Sequence, residues 1–204
     1  MNDPDIRNAF HRSVLRKEHN QSDTLVVDEL GLEHGKCRAD IAVINGHLIG
    51  YEIKSDVDSL KRLDSQITAY NGIFDNLSLI LTDCHRDEAM QILPNWWGVI
   101  LAKSSKYNRV NFEYLKLPRL NPKINNNAVA QLLWREEAQE VLFNLGVRGA
   151  RLRERRAILY KYIVELLSPM ELRHTVREYL KNRKDWRHPV PPFPSDGSFP
   201  LGAR

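Results

Sequence analysis

The feature that most narrows the fold is the order of apolar runs between residues 24 and 82. Residues 24–30 (TLVVDEL), 38–44 (RADIAVI) and 48–54 (LIGYEIK) are rich in β-branched and aliphatic residues, and Gly31, Gly35 and Asn45-Gly46 separate them. Short β-prone runs divided by turn residues predict a three-stranded antiparallel meander. Leu60, Leu63, Ile67, Tyr70 and Phe74 then recur at helical spacing, and residues 77–82 (LSLILT) are strand-like again. A helix between two strands of one sheet makes a crossover connection. A short helix near residues 86–93 and strands near 98–102 and 110–115 complete an α/β layer. Upstream, Asp3 as N-cap, Pro4 at the first helical position and the repeat Ile6, Phe10, Val14 predict an opening helix over residues 4–17.

The chemistry concentrates on the meander. Side chains alternate along a strand, so Glu52 and Lys54 share one face while Tyr51 and Ile53 point to the other. Whether Asp40 joins them depends on the turn. A strict two-residue Asn45-Gly46 turn pairs Asp40 with Tyr51, whereas a three-residue turn or a bulge pairs it with Glu52. The irregular form is expected. Asp40 and Glu52, with the backbone carbonyl of Ile53, would then offer hard oxygen ligands suited to Mg²⁺ or Mn²⁺. The Lys54 ammonium would face the attacked phosphate. Gln66 and Tyr70, four residues apart, occupy adjacent turns of the following helix and can face the sheet together.

These side chains also have structural readings. An isolated Glu-x-Lys on a strand is usually a solvated pair, and a lone Tyr70 would most often be core. Arg38 either grips a phosphate or pairs with Asp40; Ser55 either donates to a phosphate or forms a turn. Trp96-Trp97 reads as packing more readily than as a base-stacking platform.

Charge divides the chain. Residues 1–118 hold 14 Lys and Arg against 17 Asp and Glu, whereas residues 119–188 hold 15 against 8. An acidic first segment suits a cation and a basic second one suits a polyanion. The expected division is a core over residues 1–118, a basic helical region over 119–185 and a proline-rich, extended tail over 186–204. Within the helical region, Val129, Leu132, Leu133, Val141 and Leu142 mark one helix. A second carries Ile158, Leu159, Tyr162, Ile163 and Leu166, and Ser168-Pro169-Met170-Glu171 opens a third with a capping box. Arg148, Arg151, Arg153, Arg155 and Arg156 form the best electrostatic docking surface for a nucleic-acid backbone, or else a solvated helix face. Cys37 and Cys84 are too few for a disulfide framework and are read as reduced thiols. No apolar stretch resembles a signal peptide or a membrane span, which predicts a cytoplasmic protein.

Arg38-Ala39-Asp40-Ile41, Glu52-Ile53-Lys54 and Gln66-Ile67-Thr68-Ala69-Tyr70 together resemble the motifs of the PD-(D/E)XK nuclease superfamily, in its RecB-like branch. The first half of the chain is also similar to the small MmcB-type bacterial DNA-repair proteins. The resemblance implies a restriction-endonuclease-like core, a central mixed sheet flanked by helices, with the helical region as an α-helical C-terminal appendage. It implies a Mg²⁺-dependent nuclease acting on nucleic acid, with DNA the expected substrate, in bacterial or phage repair, recombination or defence. Asp40 and Glu52 would be the principal ligands, Glu29 an additional one and Lys54 the catalytic lysine. Gln66 would position the lysine or the water, and Tyr70 would support the site. Ala39 stands where the superfamily's name places proline. The acidic residue that some members carry on the first helix has only Glu18, or His11 in its place, as candidates. The alternatives are a non-catalytic DNA-binding or interaction module, and an RNase; a homodimer would suit double-strand scission.

Overall fold

The computed structural model of the chain describes residues 1–105 and 109–183. The expected proline-rich tail over residues 186–204 lies outside them, as do the last two residues of the expected helical region. Six strands, β1 (Leu25–Leu32), β2 (Cys37–Ile44), β3 (Leu48–Lys54), β4 (Asn76–Leu81), β5 (Gly98–Ser104) and β6 (Val110–Lys116), form one sheet in sequence order. The meander β1-β2-β3 and the last pair β5-β6 are antiparallel; β3-β4 and β4-β5 are parallel. The parallel pairs require crossovers, supplied by α2 (Leu63–Asn71) and α3 (Arg86–Ile92). The protein is thus α/β, with a mixed sheet, flanking helices and a C-terminal helical region. β1 runs two residues beyond the expected end, so Gly31 lies inside the strand, paired with Arg38, and the turn falls on Glu33–Gly35.

α1 (Asp3–Ser13) covers one sheet face: Ile6, Phe10 and Leu15 are buried with Ile41, Val43, Ile53, Ile80 and Ile100. Phe10 packs edge-on against Tyr51 and Phe112, with ring centroids 4.9 and 5.1 Å away. The helix is capped by Asn2, one residue earlier than the sequence suggested. Its side chain accepts the Asp5 N–H while Asp5 accepts the Asn2 N–H, which places Pro4 where no N–H is needed. The α-helix ends at Ser13, and two 3₁₀ turns carry the chain to Asn20.

The other face packs against α2 and the C-terminal helices α4 (Asn126–Ala130), α5 (Arg135–Asn144), α6 (Arg156–Leu166) and α7 (Pro169–Asn182). One continuous apolar cluster joins Ala42 and Leu79 of the sheet to Tyr70 of α2, Leu142, Ile163 and Val176. The single helix expected from Val129 to Leu142 is two, broken at Gln131–Trp134. The apolar repeat runs through the break, but Glu137 turns back to accept the Trp134 N–H at 2.7 Å, and that contact starts a new helix. α7 begins as anticipated: Ser168 Oγ accepts the Glu171 N–H and Glu171 accepts the Ser168 N–H, with Pro169 at the first position. Among the described residues, no helix is long and apolar enough to cross a membrane.

Candidate active site

The β2-β3 hairpin has a three-residue turn. Ile44 pairs with Leu48, and Asn45 folds over His47, whose N–H donates to Asn45 Oδ1 at 2.9 Å. The register Ile41–Tyr51 therefore sets Asp40 opposite Glu52. In β1-β2, the pairs Asp28–Ile41 and Leu30–Ala39 set Glu29 opposite Asp40. Three acidic residues thus occupy one row across three neighbouring strands. The row coincides with a disruption: Glu29 has φ +57°, and the β2-β3 ladder stops at Ile41–Tyr51. Where the next rung would join Ile53 to Ala39, the Ile53 N–H donates instead to Asp40 Oδ2 at 2.7 Å. The carboxylate takes over an amide that the splayed strand leaves without a backbone partner.

Glu52 and Lys54, both on the face covered by α2, are nearly inaccessible, at 2% and 5% side-chain exposure. Lys54 Nζ donates to Glu52 Oε1 at 2.7 Å and to Gln66 Oε1 at 2.9 Å, leaving one of its three N–H groups for another acceptor. The Gln66 amide also donates to Glu52 Oε1. Tyr70 donates to Glu52 Oε2 at 2.7 Å, and its hydroxyl sits 2.5 Å from the Arg38 carbonyl. The four side chains therefore form one hydrogen-bonded unit. Burial, then the Glu52 charge, pushes the Tyr70 phenol pKa up, so it remains a donor. Its ring stacks on Trp97, interplanar angle 8°, while Trp97 Nε1 donates to Asn71. That contact accounts for the buried tryptophan as packing.

Asp40 is pushed up to about 7, first by burial and then by the Glu52 charge, while the Ile53 N–H and Arg7 pull the other way. Arg7 is the participant that sequence reasoning missed. From α1 it donates to Asp40 Oδ1 at 3.1 Å, to the Asp40 carbonyl at 2.5 Å, to Glu29 Oε1 at 3.2 Å and to Asp3 Oδ1 at 3.0 Å. Burial opposes its charge, but the Asp3 hydrogen bond and the Asp40, Asp3 and Asp28 charges outweigh it and raise its pKa. The only signal in the sequence was the four-residue spacing from Asp3, which is common on helix surfaces. Of the first-helix candidates, His11 lies beside this cluster, its Nε2 2.9 Å from Asp28 Oδ1 and its Nδ1 3.0 Å from His19, while Glu18 falls in the second 3₁₀ turn and has a buried oxygen without a partner.

Asp40, Glu52, Ile53, Lys54, Gln66, Glu29 and Arg38 line one groove of about 650 Å³, to which Lys36 and Arg62 add positive charge. Ser55 is not among its walls. It is fully buried, and its N–H and hydroxyl both donate to Asp58 Oδ2, so it forms a turn. Arg38 is exposed and pairs with Glu29 at 3.2 Å rather than with Asp40. None of Arg148, Arg151, Arg153, Arg155 and Arg156 lines the groove, although Arg156 lines a neighbouring one. Arg148 instead lies over the Phe143 ring, 3.9 Å from its centroid. Cys37 and Cys84 are free thiols.

The donor chemistry suits a hard divalent cation in part. Asp40 and Glu52 supply carboxylate oxygens; burial and then the Glu52 charge raise the Asp40 pKa, and a dication would offset both. Among the described residues, however, no three His, Cys, Asp or Glu side chains are grouped to hold a metal. A cation here would need the Ile53 carbonyl, water and phosphate oxygens as well.

An α/β protein with an acidic row across a splayed hairpin is the class that fold and groove define. The chain belongs to the family described as Bacteriophage P4 protein cII, which it matches over residues 1–188. It is 27% identical over 169 residues to "Protein cII" of Enterobacteria phage P4, a match covering 83% of this chain. The matched part spans 63% of that relative's length. Among solved structures, the SPO1766 protein of unknown function from Silicibacter pomeroyi is similar, with TM-score 0.43 and 15% identity over 72% of this chain and 94% of that one.

Proposed function

We propose that the protein is a divalent-metal-dependent nuclease with a restriction-endonuclease-like core, hydrolysing phosphodiester bonds in DNA. The observation that carries this reading is the placement of Asp40 and Glu52 in one cross-strand row, with Lys54 two residues beyond Glu52, at the base of one groove. Asp40, Glu52 and the Ile53 carbonyl would hold Mg²⁺ or Mn²⁺. When bound, the ion supplies charge neutralisation at the phosphate and acidifies a water. Lys54 is oriented by Glu52 and Gln66, and its remaining N–H is available to an oxygen of the phosphate or of the attacking water. Gln66 and Tyr70 hold Glu52 in place by donating to both of its oxygens. Lys36, Arg38 and Arg62 bring positive charge to a groove whose lining also carries Asp3, Glu29, Glu33 and Asp58, so a bound cation would be needed to draw a polyanion in. The family's description favours a phage setting, and a cytoplasmic location is part of the same reading.

A second reading has its own observation. Every carboxylate oxygen of Asp40 and Glu52 has a protein partner, Arg7 included, as would suit a non-catalytic nucleic-acid-binding module. Cleavage assays on single-stranded, duplex and branched DNA and on RNA, with Mg²⁺, Mn²⁺ or EDTA, separate the two. Metal-dependent DNA cleavage that falls on the order of a hundredfold or more in Asp40→Ala and in Lys54→Ala supports the nuclease. Equal residual cleavage in all three proteins would assign it to contamination. Inertness with retained, salt-sensitive binding would favour the module, and a preference for RNA would make the protein an RNase.

A further inference from the structure

Beside the carboxylate groove lies a second one of about 490 Å³, and Gly35 belongs to both. The wall between them is the β1-β2 turn, whose backbone is unusual. Glu33, His34 and Gly35 take φ of +48°, +59° and +88°, and with Glu29 the first two are the described residues other than glycine with positive φ. Left-handed backbone costs about 1 kcal/mol or more per non-glycine residue, and such strain gathers where a segment is held for a purpose. Here the turn is held by the helical region: His34 stacks on Tyr160 at 5.8 Å, and Arg156 Nη1 lies 3.4 Å from His34 Nδ1.

The second groove pairs exposed aromatic surface with fixed cations. Trp134 is 51% exposed although it stands beside the core. The Arg183 guanidinium lies over its ring, 4.2 Å from the centroid, and is clamped by Glu137 at 2.6 and 2.7 Å and by the Leu132 carbonyl at 2.6 Å. Arg135 is steadied by the Arg153 carbonyl at 3.2 Å, and Arg156 lines the same groove. An indole backed by a guanidinium on one face and half exposed to solvent offers a stacking platform for a planar group. Arg135 and Arg156, which line the groove along with Glu136, match the phosphates that would flank that group. A base inside a duplex has no free face, so this chemistry selects an unpaired strand.

We propose that the second groove binds unpaired nucleotides, one base stacking on Trp134 and the adjacent phosphates lying against Arg135 and Arg156. A strand held at Asp40 and Glu52 would continue round the Glu33–Gly35 turn into it. The route rests on the nuclease reading; binding in the second groove does not.

The test is fluorescence anisotropy in EDTA, where no cleavage occurs, using a labelled single-stranded oligonucleotide and a blunt duplex of the same sequence. Trp134→Ala should weaken single-strand binding on the order of tenfold and leave the duplex within about twofold, whereas Trp134→Phe should retain most of the affinity. Arg135→Ala with Arg156→Ala should lower the slope of log K against log salt by about one to two. Trp134→Ala affecting both substrates alike, or neither, would overturn the proposal, as would an acidic peptide competing as well as the oligonucleotide. Should thermal melting show that Trp134→Ala does not fold, the arginine pair and Trp134→Phe decide the matter by the same criteria. Failure of the nuclease reading would appear separately, as an absence of metal-dependent cleavage with these affinities intact.

Discussion

Asp40 Oδ2 accepts the Ile53 N–H at 2.7 Å, doing for β3 what the backbone of β2 would do if the ladder continued. The carboxylate therefore has a structural task and, in a nuclease, a chemical one, and two substitutions separate them. Asp40→Asn keeps an oxygen for Ile53 and should melt near the wild type at about pH 4, yet at pH 7 bind no Mn²⁺ at this groove. Asp40→Ala orphans a buried amide and should lose roughly 1–3 kcal/mol as well. Urea unfolding beside Mn²⁺ titration of both variants checks this; equal stability of the two would remove the structural role.

Arg7 should be a stability residue whose loss a cation partly repairs. Removing it leaves Asp3, Asp28, Glu29 and Asp40 facing one another, at a cost of about 3 kcal/mol for a largely buried pair. Arg7→Gln should therefore melt lower than wild type in EDTA and gain more from added Mn²⁺. Scanning calorimetry with and without metal reads both effects. An identical metal-induced rise in the two proteins would show that Arg7 does not compensate these carboxylates.

The hairpin register was legible in the sequence because the alternation in residues 38–44 and 48–54 leaves only two ways to close the Asn45-Gly46 turn, and only one brings Asp40 level with Glu52. The Gln66–Tyr70 spacing likewise revealed a helix face that meets Glu52. Arg7 was not legible, because its function comes from α1 crossing the open end of the hairpin, a tertiary contact with no local pattern. The positive φ at Glu29, Glu33 and His34 was hidden for a similar reason: no glycine marks those positions, and packing against Tyr160 and Arg156 holds the turn. The break at Gln131–Trp134 escaped because the apolar repeat continues across it.

The pH dependence of stability has a definite sign. Asp40 has a folded pKa of about 7 against an ordinary 3.8, so the folded state binds the proton more tightly. Its contribution is fully present below the unfolded pKa and is lost as pH rises through the folded one. In EDTA, wild-type stability should fall relative to Asp40→Asn between about pH 4 and pH 7. Parallel curves for the two proteins would contradict the assignment. Cation binding requires the ionised carboxylate, so below pH 7 it should release a proton, measurable by calorimetry in buffers of different ionisation enthalpy.

Gly50 sets how closely Phe74, in the turn after α2, and Leu77 of β4 approach β3. A Cβ there would meet Leu77 Cδ2 at 2.6 Å and the Phe74 ring at 2.9 Å, both fully buried. Gly50→Ala should destabilise the protein by about 1–3 kcal/mol and, being two residues from Glu52, lower activity beyond what unfolding explains. Denaturation midpoints alongside specific activity of the folded fraction test this.

The most direct test of the acidic row as a metal-dependent hydrolytic centre is anomalous scattering from a crystal soaked in Mn²⁺. The account predicts one peak in the groove, about 2.0–2.3 Å from an oxygen of Asp40 and one of Glu52, and its loss in Asp40→Asn. A fully soaked crystal with no peak there, or with manganese bound only elsewhere, would contradict it.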